Sequence, residues 1–240
     1  MIVTAAVIVI GNEILSGRTQ DRNINFIALE LVALGIKLQE IRVIPDIHET
    51  IVEVVRELSA KYNYIFTTGG IGPTHDDITT EAVAAAFNVS LYRHPEAVKS
   101  LADYYGADGL TAARLKMADV PDGAELIPNS VSSAPGYKKE NVYVMAGIPK
   151  IMQEMFLSAK KYLKGGNVTK SEEVSAYVSE SKIAGDLSLI QDRFSNVEIG
   201  SYPFSENGKY GVSIVLRSDD EKSLAKAKEE VILMFASITS

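Results

Sequence analysis

The chain has 240 residues, a 46% hydrophobic fraction and a formal net charge of -7. That size and apolar content support a packed core and exclude a disordered chain, while so acidic a surface excludes general nucleic-acid binding, which needs a basic footprint. Cysteine is absent, so disulfides, thiolate metal sites and thiol catalysis are excluded, and a reducing, cytoplasmic location is expected.

Val3 to Ile10 is a continuous apolar run rich in β-branched residues, the signature of a central parallel strand. The start has no basic segment and no small-residue cleavage site, and it runs straight into Gly11-Asn12-Glu13. It therefore reads as a buried strand and not as a signal peptide. No apolar run approaches the roughly 18 residues of a membrane span, so no membrane partner is expected. A polar loop follows from Gly11 to about Arg22. Ile24, Ile27, Ala28, Leu31 and Leu34 then recur at helical spacing, and Gly35 stops that helix. Ile36 to Ile44 reads as a strand, and Ile51, Val54, Val55 and Leu58 mark a second helix. Tyr64 to Thr67 is a short strand, broken by Gly69-Gly70-Ile71-Gly72-Pro73, and a helix runs from about Ile78 to Phe87.

This alternation of strand and helix predicts an open, mostly parallel α/β sheet. Such sheets bind ligands beyond the carboxyl ends of their strands. Three polar loops lie there: Gly11 to Arg22, Pro45 to Glu49, and Gly69 to Asp77. Pro95 to Met117 reads as helical. Glu125 to Ile127, Gly136 to Lys138 and Val142 to Met145 read as short strands, followed by a helix ending near Lys164. Gly165-Gly166-Asn167 predicts a boundary, with domains over 1–165 and 166–240. Beyond it come a strand at Glu173 to Ser179 and a helix at Ile183 to Phe194. A hairpin of Val197 to Tyr202 and Tyr210 to Leu216 turns around Glu206-Asn207-Gly208, and a helix runs from Asp219 to Phe235. This is a small βαββα, α+β unit.

The richest segment for chemistry is Thr67 to Thr79. A strand enters, glycines allow close backbone approach, and a helix begins, so N–H groups can point at phosphate oxygens. Asp76 and Asp77 beside that cradle fit a hard divalent cation, without which they would repel a phosphate. A tight turn and a helix cap at Asp77 explain the same residues without a ligand. Gly69, Gly70, Gly72 and Thr74 are candidate binding residues in this loop. In the first loop, Gly11 is a candidate for ligand contact and Glu13 for binding a metal or a ribose hydroxyl. Asn23 either bonds ligand or caps its helix. Asp46, after the second strand, is a third acid at the same edge, which makes Asp46, Asp76 and Asp77 the candidate metal set. His48 and His75 lack metal-ligand spacing. Lys116 either neutralises phosphate in the reaction or is a surface lysine. Ser133, in Ser133-Ala134-Pro135-Gly136, and Gly147, in Ala146-Gly147-Ile148-Pro149, stand in small-residue loops that fit a pocket wall, although proline near a helix start is also a plain helix entry.

Gly69-Gly70-Ile71-Gly72-Pro73-Thr74-His75-Asp76-Asp77-Ile78-Thr79 resembles the molybdopterin-binding fold family, and within it the CinA-like branch, which shows Gly-Gly-Leu-Gly-Pro-Thr-Pro-Asp-Asp-Leu-Thr. Ile71, His75 and Ile78 are the departures. Gly11-Asn12-Glu13-Ile14-Leu15-Ser16-Gly17 looks like that family's Gly-x-Glu-Leu-Leu-x-Gly. Asp21-Arg22-Asn23, Pro121-Asp122-Gly123-Ala124 and Asn129 through Gly136 also match. Ala146-Gly147-Ile148-Pro149 departs from the usual Pro-Gly-Pro-Pro or Pro-Gly-Ile-Pro. The similarity covers about residues 3 to 160. In the second domain, Glu180-Ser181, Ile183-Ala184 and Gly200-Ser201-Tyr202-Pro203 look like the N-terminal half of eukaryotic FAD synthases.

The resemblance implies a three-layer α/β/α domain followed by the small α+β domain. It also implies a nucleotide pyrophosphatase that cleaves FAD or ADP-ribose to monophosphates. Magnesium, manganese, cobalt or nickel would be the divalent ion, potassium is a further candidate, and a homodimer or homotrimer is expected. At 240 residues the deamidase and synthase domains of longer relatives are not expected here. The alternative is a molybdopterin-binding or molybdopterin adenylyltransferase-type protein. Those transferases share the fold but carry Arg-Asp where this chain has Asp76-Asp77, and an acid there favours metal binding over direct phosphate pairing.

Overall fold

Strand β1 (Val3–Ile10) is buried from Ala5 onward because helices cover both faces of the sheet around it. The computed structural model describes residues 2–106 and 108–239, and the chain divides into two compact units at Gly166 and Asn167.

In the first unit β1 is followed by α1 (Asn12–Leu15), α2 (Asn23–Ala33), β2 (Ile36–Ile44), α3 (His48–Lys61), β3 (Tyr64–Thr68), α4 (Thr79–Ala86) and β4 (Leu91–Arg93). Then come α5 (Pro95–Tyr105), α6 (Ala112–Lys116), β5 (Asp119–Pro121), β6 (Glu125–Ile127), β7 (Gly136–Lys139), β8 (Val142–Met145) and α7 (Pro149–Ala159), with a final 3₁₀ turn at Lys160–Tyr162. The six-stranded sheet runs β2-β1-β3-β8-β7-β6. Its first four strands are parallel and the last two antiparallel. Side chains of a strand alternate between faces. Ala6, Ile8 and Ile10 accordingly pack with Ile51, Val55 and Leu58 of α3 and Ala82 and Val83 of α4. Ala5, Val7 and Val9 pack with Ile27 and Leu31 of α2 and Met152 and Phe156 of α7. Two cores on one sheet give the three-layer α/β/α arrangement expected from the sequence.

Three details differ from the expectation. The Gly11 to Arg22 loop contains the single turn α1. The segment read as one helix over Pro95 to Met117 is two: α5 ends at Gly106, where φ is +72°, and α6 restarts behind a Thr111 cap; Ala107 of that segment lies outside the described residues. Strands β4 and β5 form a separate ribbon, pairing Leu91 with Pro121 and Arg93 with Asp119. Three-residue strands carry too little periodicity to be seen in sequence.

The second unit is β9 (Lys170–Ala176), α8 (Glu180–Arg193), β10 (Glu198–Glu206), β11 (Lys209–Ser218) and α9 (Glu221–Thr239), the βαββα order expected. Its antiparallel sheet runs β10-β11-β9. The strands are offset from the reading: β9 starts at Lys170, and the hairpin strands extend to Glu206 and from Lys209. Asn207 and Gly208, with φ of 50° and 77°, make the two-residue turn whose twist suits a hairpin. Val212, Ile214 and Leu216 bury one face of this sheet against Ile183 and Ile190 of α8 and Leu224 and Val231 of α9.

Candidate functional site at the strand ends

The parallel strands end together, and backbone bonds tie their ends. Gly11 N–H donates to Ile44 O at 3.1 Å, and Gly69 N–H to Met145 O at 3.1 Å. Gly69 has φ of +104°, and a Cβ there would lie 2.2 Å from the Ile10 carbonyl oxygen. That neighbour is backbone and cannot step aside, so only glycine fits. Gly147 approaches the same point, since a Cβ on it would lie 3.3 Å from Gly69 Cα. Asn23, the buried first residue of α2, donates from Nδ2 to Gly147 O at 2.8 Å, while its Oδ1 has no protein partner. The first turn of α2 is held instead by Asp21, whose carboxylate accepts from Ile24 N–H at 2.8 Å. Of the two roles open to Asn23, capping is the one this geometry removes.

The loop from β3 to α4 is folded on itself. Thr79 fastens its start, donating from Oγ1 to Gly69 O and from N–H to Gly70 O, both at 3.0 Å. Gly69 N–H is spent, but the N–H groups of Gly70, Ile71 and Gly72 meet no protein acceptor among the described residues. Successive unspent amides are donors open to an anion. Further on, Thr74 N–H donates to Asp77 Oδ2 at 2.8 Å. The Thr74 hydroxyl oxygen lies 2.6 Å from Asp76 Oδ1 and 2.5 Å from Asp77 Oδ2. A hydroxyl has one proton, so it serves one carboxylate at a time, while Thr74 N–H stays on Asp77. The Thr74 hydroxyl, aided by backbone and by the nearby His75 and Lys116, holds the Asp76 carboxyl below its ordinary range, and the group is exposed. Asp77 does not cap α4, which has no side-chain cap; it closes the loop through Thr74.

Lys116 reaches this loop from α6. Its ammonium donates to Asp77 O at 2.8 Å and Thr74 O at 3.4 Å, and it lies 3.6 Å from Glu81. It braces the acidic loop by its carbonyls. Asp46 is held elsewhere, its Oδ2 accepting from Asn12 N–H at 2.8 Å at the start of α1. Glu13 is exposed, with its carboxylate over Gly11. Among the described residues no three Asp, Glu, His or Cys side chains converge enough to hold a metal by themselves, so Asp46 does not complete a set with Asp76 and Asp77. Ser133, with φ of +59°, sits in the β6–β7 connection. Its carbonyl accepts from Ser100 Oγ at 2.9 Å, and Asn129 folds that connection through Val131, Ser132 and Ala134. The reading missed Thr79 and Asp21. The signal for Asp21 was present as an acid three residues before the first apolar helical position.

Residues 6–165 match the family model described as "Probable molybdopterin binding domain". The chain belongs to this family. Residues 169–239 match a second model, "FAD synthase, middle domain". A protein of Archaeoglobus fulgidus is 37% identical over 197 residues, covering 82% of this chain and 84% of that one. A protein of Clostridium beijerinckii named as competence-damage inducible is 32% identical over 239 residues; the match covers 95% of this chain and 58% of its relative. Among solved structures, CinA of Thermoplasma acidophilum, titled as of unknown function, is 33% identical with a TM-score of 0.64, covering 67% of this chain and 98% of that one. The molecule is thus a CinA-like, molybdopterin-binding-type unit followed by a unit that matches the FAD synthase middle-domain model. Among the described residues no helix is long and apolar enough to cross a membrane.

Proposed function

We propose that the chain is a metal-dependent nucleotide pyrophosphatase that cleaves a dinucleotide such as FAD or ADP-ribose into two monophosphates. The observation that carries this reading is the convergence of Asp76 and Asp77 on the single hydroxyl of Thr74. Two anionic carboxylates held side by side with one hydroxyl proton between them are a ligand pair for a divalent cation. Two carboxylates are also enough for an ion of the magnesium type, which completes its shell with substrate phosphate oxygens and water. Asp76 and Asp77 would hold that ion. When bound, it would neutralise the pyrophosphate and acidify a water molecule.

The chain's own groups divide the remaining work. The amides of Gly70, Ile71 and Gly72 would donate to phosphate oxygens as negative charge develops. Lys116 keeps the acidic loop in place, and Asn23 ties the start of α2 to the Gly147 carbonyl. FAD is favoured as substrate by the FAD synthase middle domain in the same chain. The second reading, transfer to or binding of molybdopterin, is favoured by the description of the first family model. Incubating the protein with FAD or ADP-ribose and magnesium, manganese, cobalt or nickel, with products resolved by chromatography, tests the choice. AMP with FMN or with ribose 5-phosphate is expected. No cleavage of either compound, together with adenylation of molybdopterin by ATP, would replace the hydrolase with the transferase.

A further inference from the structure

The sheet of the second unit buries one face against α8 and α9 and leaves the other open. On the open face is a groove of about 480 Å³ lined in part by Tyr177, Tyr202, Phe204, Glu173, Glu206 and Ser213. Two glycines shape its floor. A Cβ on Gly211 would lie 2.4 Å from the Phe204 ring, and a Cβ on Gly200 2.8 Å from the Tyr202 ring. The absent side chains let both rings lie down on the sheet, as pairing of Phe204 with Gly211 across the hairpin requires. Tyr177 stands against Phe204 with ring centroids 5.6 Å apart and planes at 69°. In this edge-to-face contact the two rings wall one corner of the groove.

The charges in this groove have one sign. Tyr177 donates its hydroxyl to Glu206 at 2.8 Å, and Ser213 donates to Glu173. Each bond uses a fraction of a carboxylate's acceptor capacity. The bond from Glu206 also raises the Tyr177 phenol above its ordinary range, which keeps the ring neutral. No lysine or arginine lines the groove. Lys209, beside it, carries its ammonium 5.9 Å from the Tyr177 ring centroid, at the outer limit of a cation–π contact. Phosphates would be repelled here. A cation with apolar substituents would gain from the ring faces and the carboxylates together.

We propose that this groove binds a small organic cation of the alkylammonium class, seated in the corner of Tyr177 and Phe204 and balanced by Glu173 and Glu206. The site does not draw on Asp76 or Asp77, so it stands or falls apart from the hydrolase reading. The test is a titration of the full chain with tetramethylammonium chloride, followed by NMR of the tyrosine and phenylalanine rings. Sodium chloride serves as the ionic blank and tert-butanol as the uncharged analogue. Tetramethylammonium should shift the Tyr177 and Phe204 signals saturably and bind at least several-fold more tightly than tert-butanol. Tyr177→Leu and Glu206→Gln should each weaken it roughly fivefold. Lys209→Ala should tighten it, by removing the chain's own competing ammonium. Equal affinity for tert-butanol would reduce the groove to an apolar surface and overturn the proposal. So would an unchanged affinity in both weakening variants, or burial of the face in a concentration-dependent dimer, detected by analytical ultracentrifugation, that Tyr177→Leu dissociates.

Discussion

The two sheets of this molecule make their surfaces in opposite ways. In the first unit β1 is buried on both faces from Ala5 to Ile10, so nothing can bind along it and the candidate groups lie at the strands' carboxyl ends. Those groups are largely backbone: the Gly70 to Gly72 amides, the carbonyls that hold Lys116, and glycines whose missing side chains admit them. In the second unit β9 has no fully buried residue, and the open face presents side chains in register. A buried parallel sheet specifies a site through loop geometry, which tolerates little change. An open antiparallel face specifies one through side chains, which exchange with small cost to the fold.

That contrast yields four tests, ordered by expected effect. Asp76→Asn should lower pyrophosphatase turnover about a hundredfold, the loss that follows from removing roughly 3 kcal/mol of transition-state stabilisation, with the melting temperature nearly unchanged because the group is exposed. Full turnover at saturating metal would remove Asp76 from the site. Next, Gly69→Ala should cost about 3 kcal/mol, since its φ is +104° and the added Cβ would lie 2.2 Å from the Ile10 carbonyl oxygen. Gly208→Ala, at φ of +77° with nothing within 4 Å, should cost about 1 kcal/mol. Thermal melts should show drops of roughly 10 °C and 3 °C, and equal drops would erase the difference claimed between the two units.

Third, Lys116→Met should reduce kcat about tenfold, or roughly 1.4 kcal/mol, and raise the metal concentration needed, with little change in KM. A rise in KM alone would mean that the ammonium contacts substrate and does not merely brace the loop. The smallest effect concerns pH. Glu40 accepts hydrogen bonds from Tyr62 at 2.6 Å, Lys61 at 2.9 Å and Arg42 at 2.7 Å, and these, Tyr62 foremost, lower its pKa from 4.5 to about 2. A depressed carboxyl stabilises the fold above its unfolded pKa and loses that contribution as pH falls through the folded value. Denaturation melts between pH 4.5 and 2 should therefore show a decline that Glu40→Gln flattens. An identical acid profile in the variant would show that these bonds do not couple folding to protonation.

Much of this was legible in the residues. The run Val3 to Ile10, the helical spacing of Ile24 to Leu34, and Asn207-Gly208 between two alternating strands are local patterns. Periodicity and turn chemistry depend on neighbours in the chain, so the sequence alone determined the order of these elements, the mostly parallel sheet and the placing of Gly69 to Asp77 beyond a strand end. The partners of the site residues were not legible. Asn23 and Gly147 meet across 124 positions, Lys116 crosses 39 to reach Asp77 O, and Asp46 turns to Asn12 instead of joining the acidic pair. A carboxylate after a strand or before a helix carries the same sequence signal whether it caps, braces or binds. Its role is set by which hydrogen-bond donors the folded backbone brings within about 3 Å, and only the tertiary structure decides that.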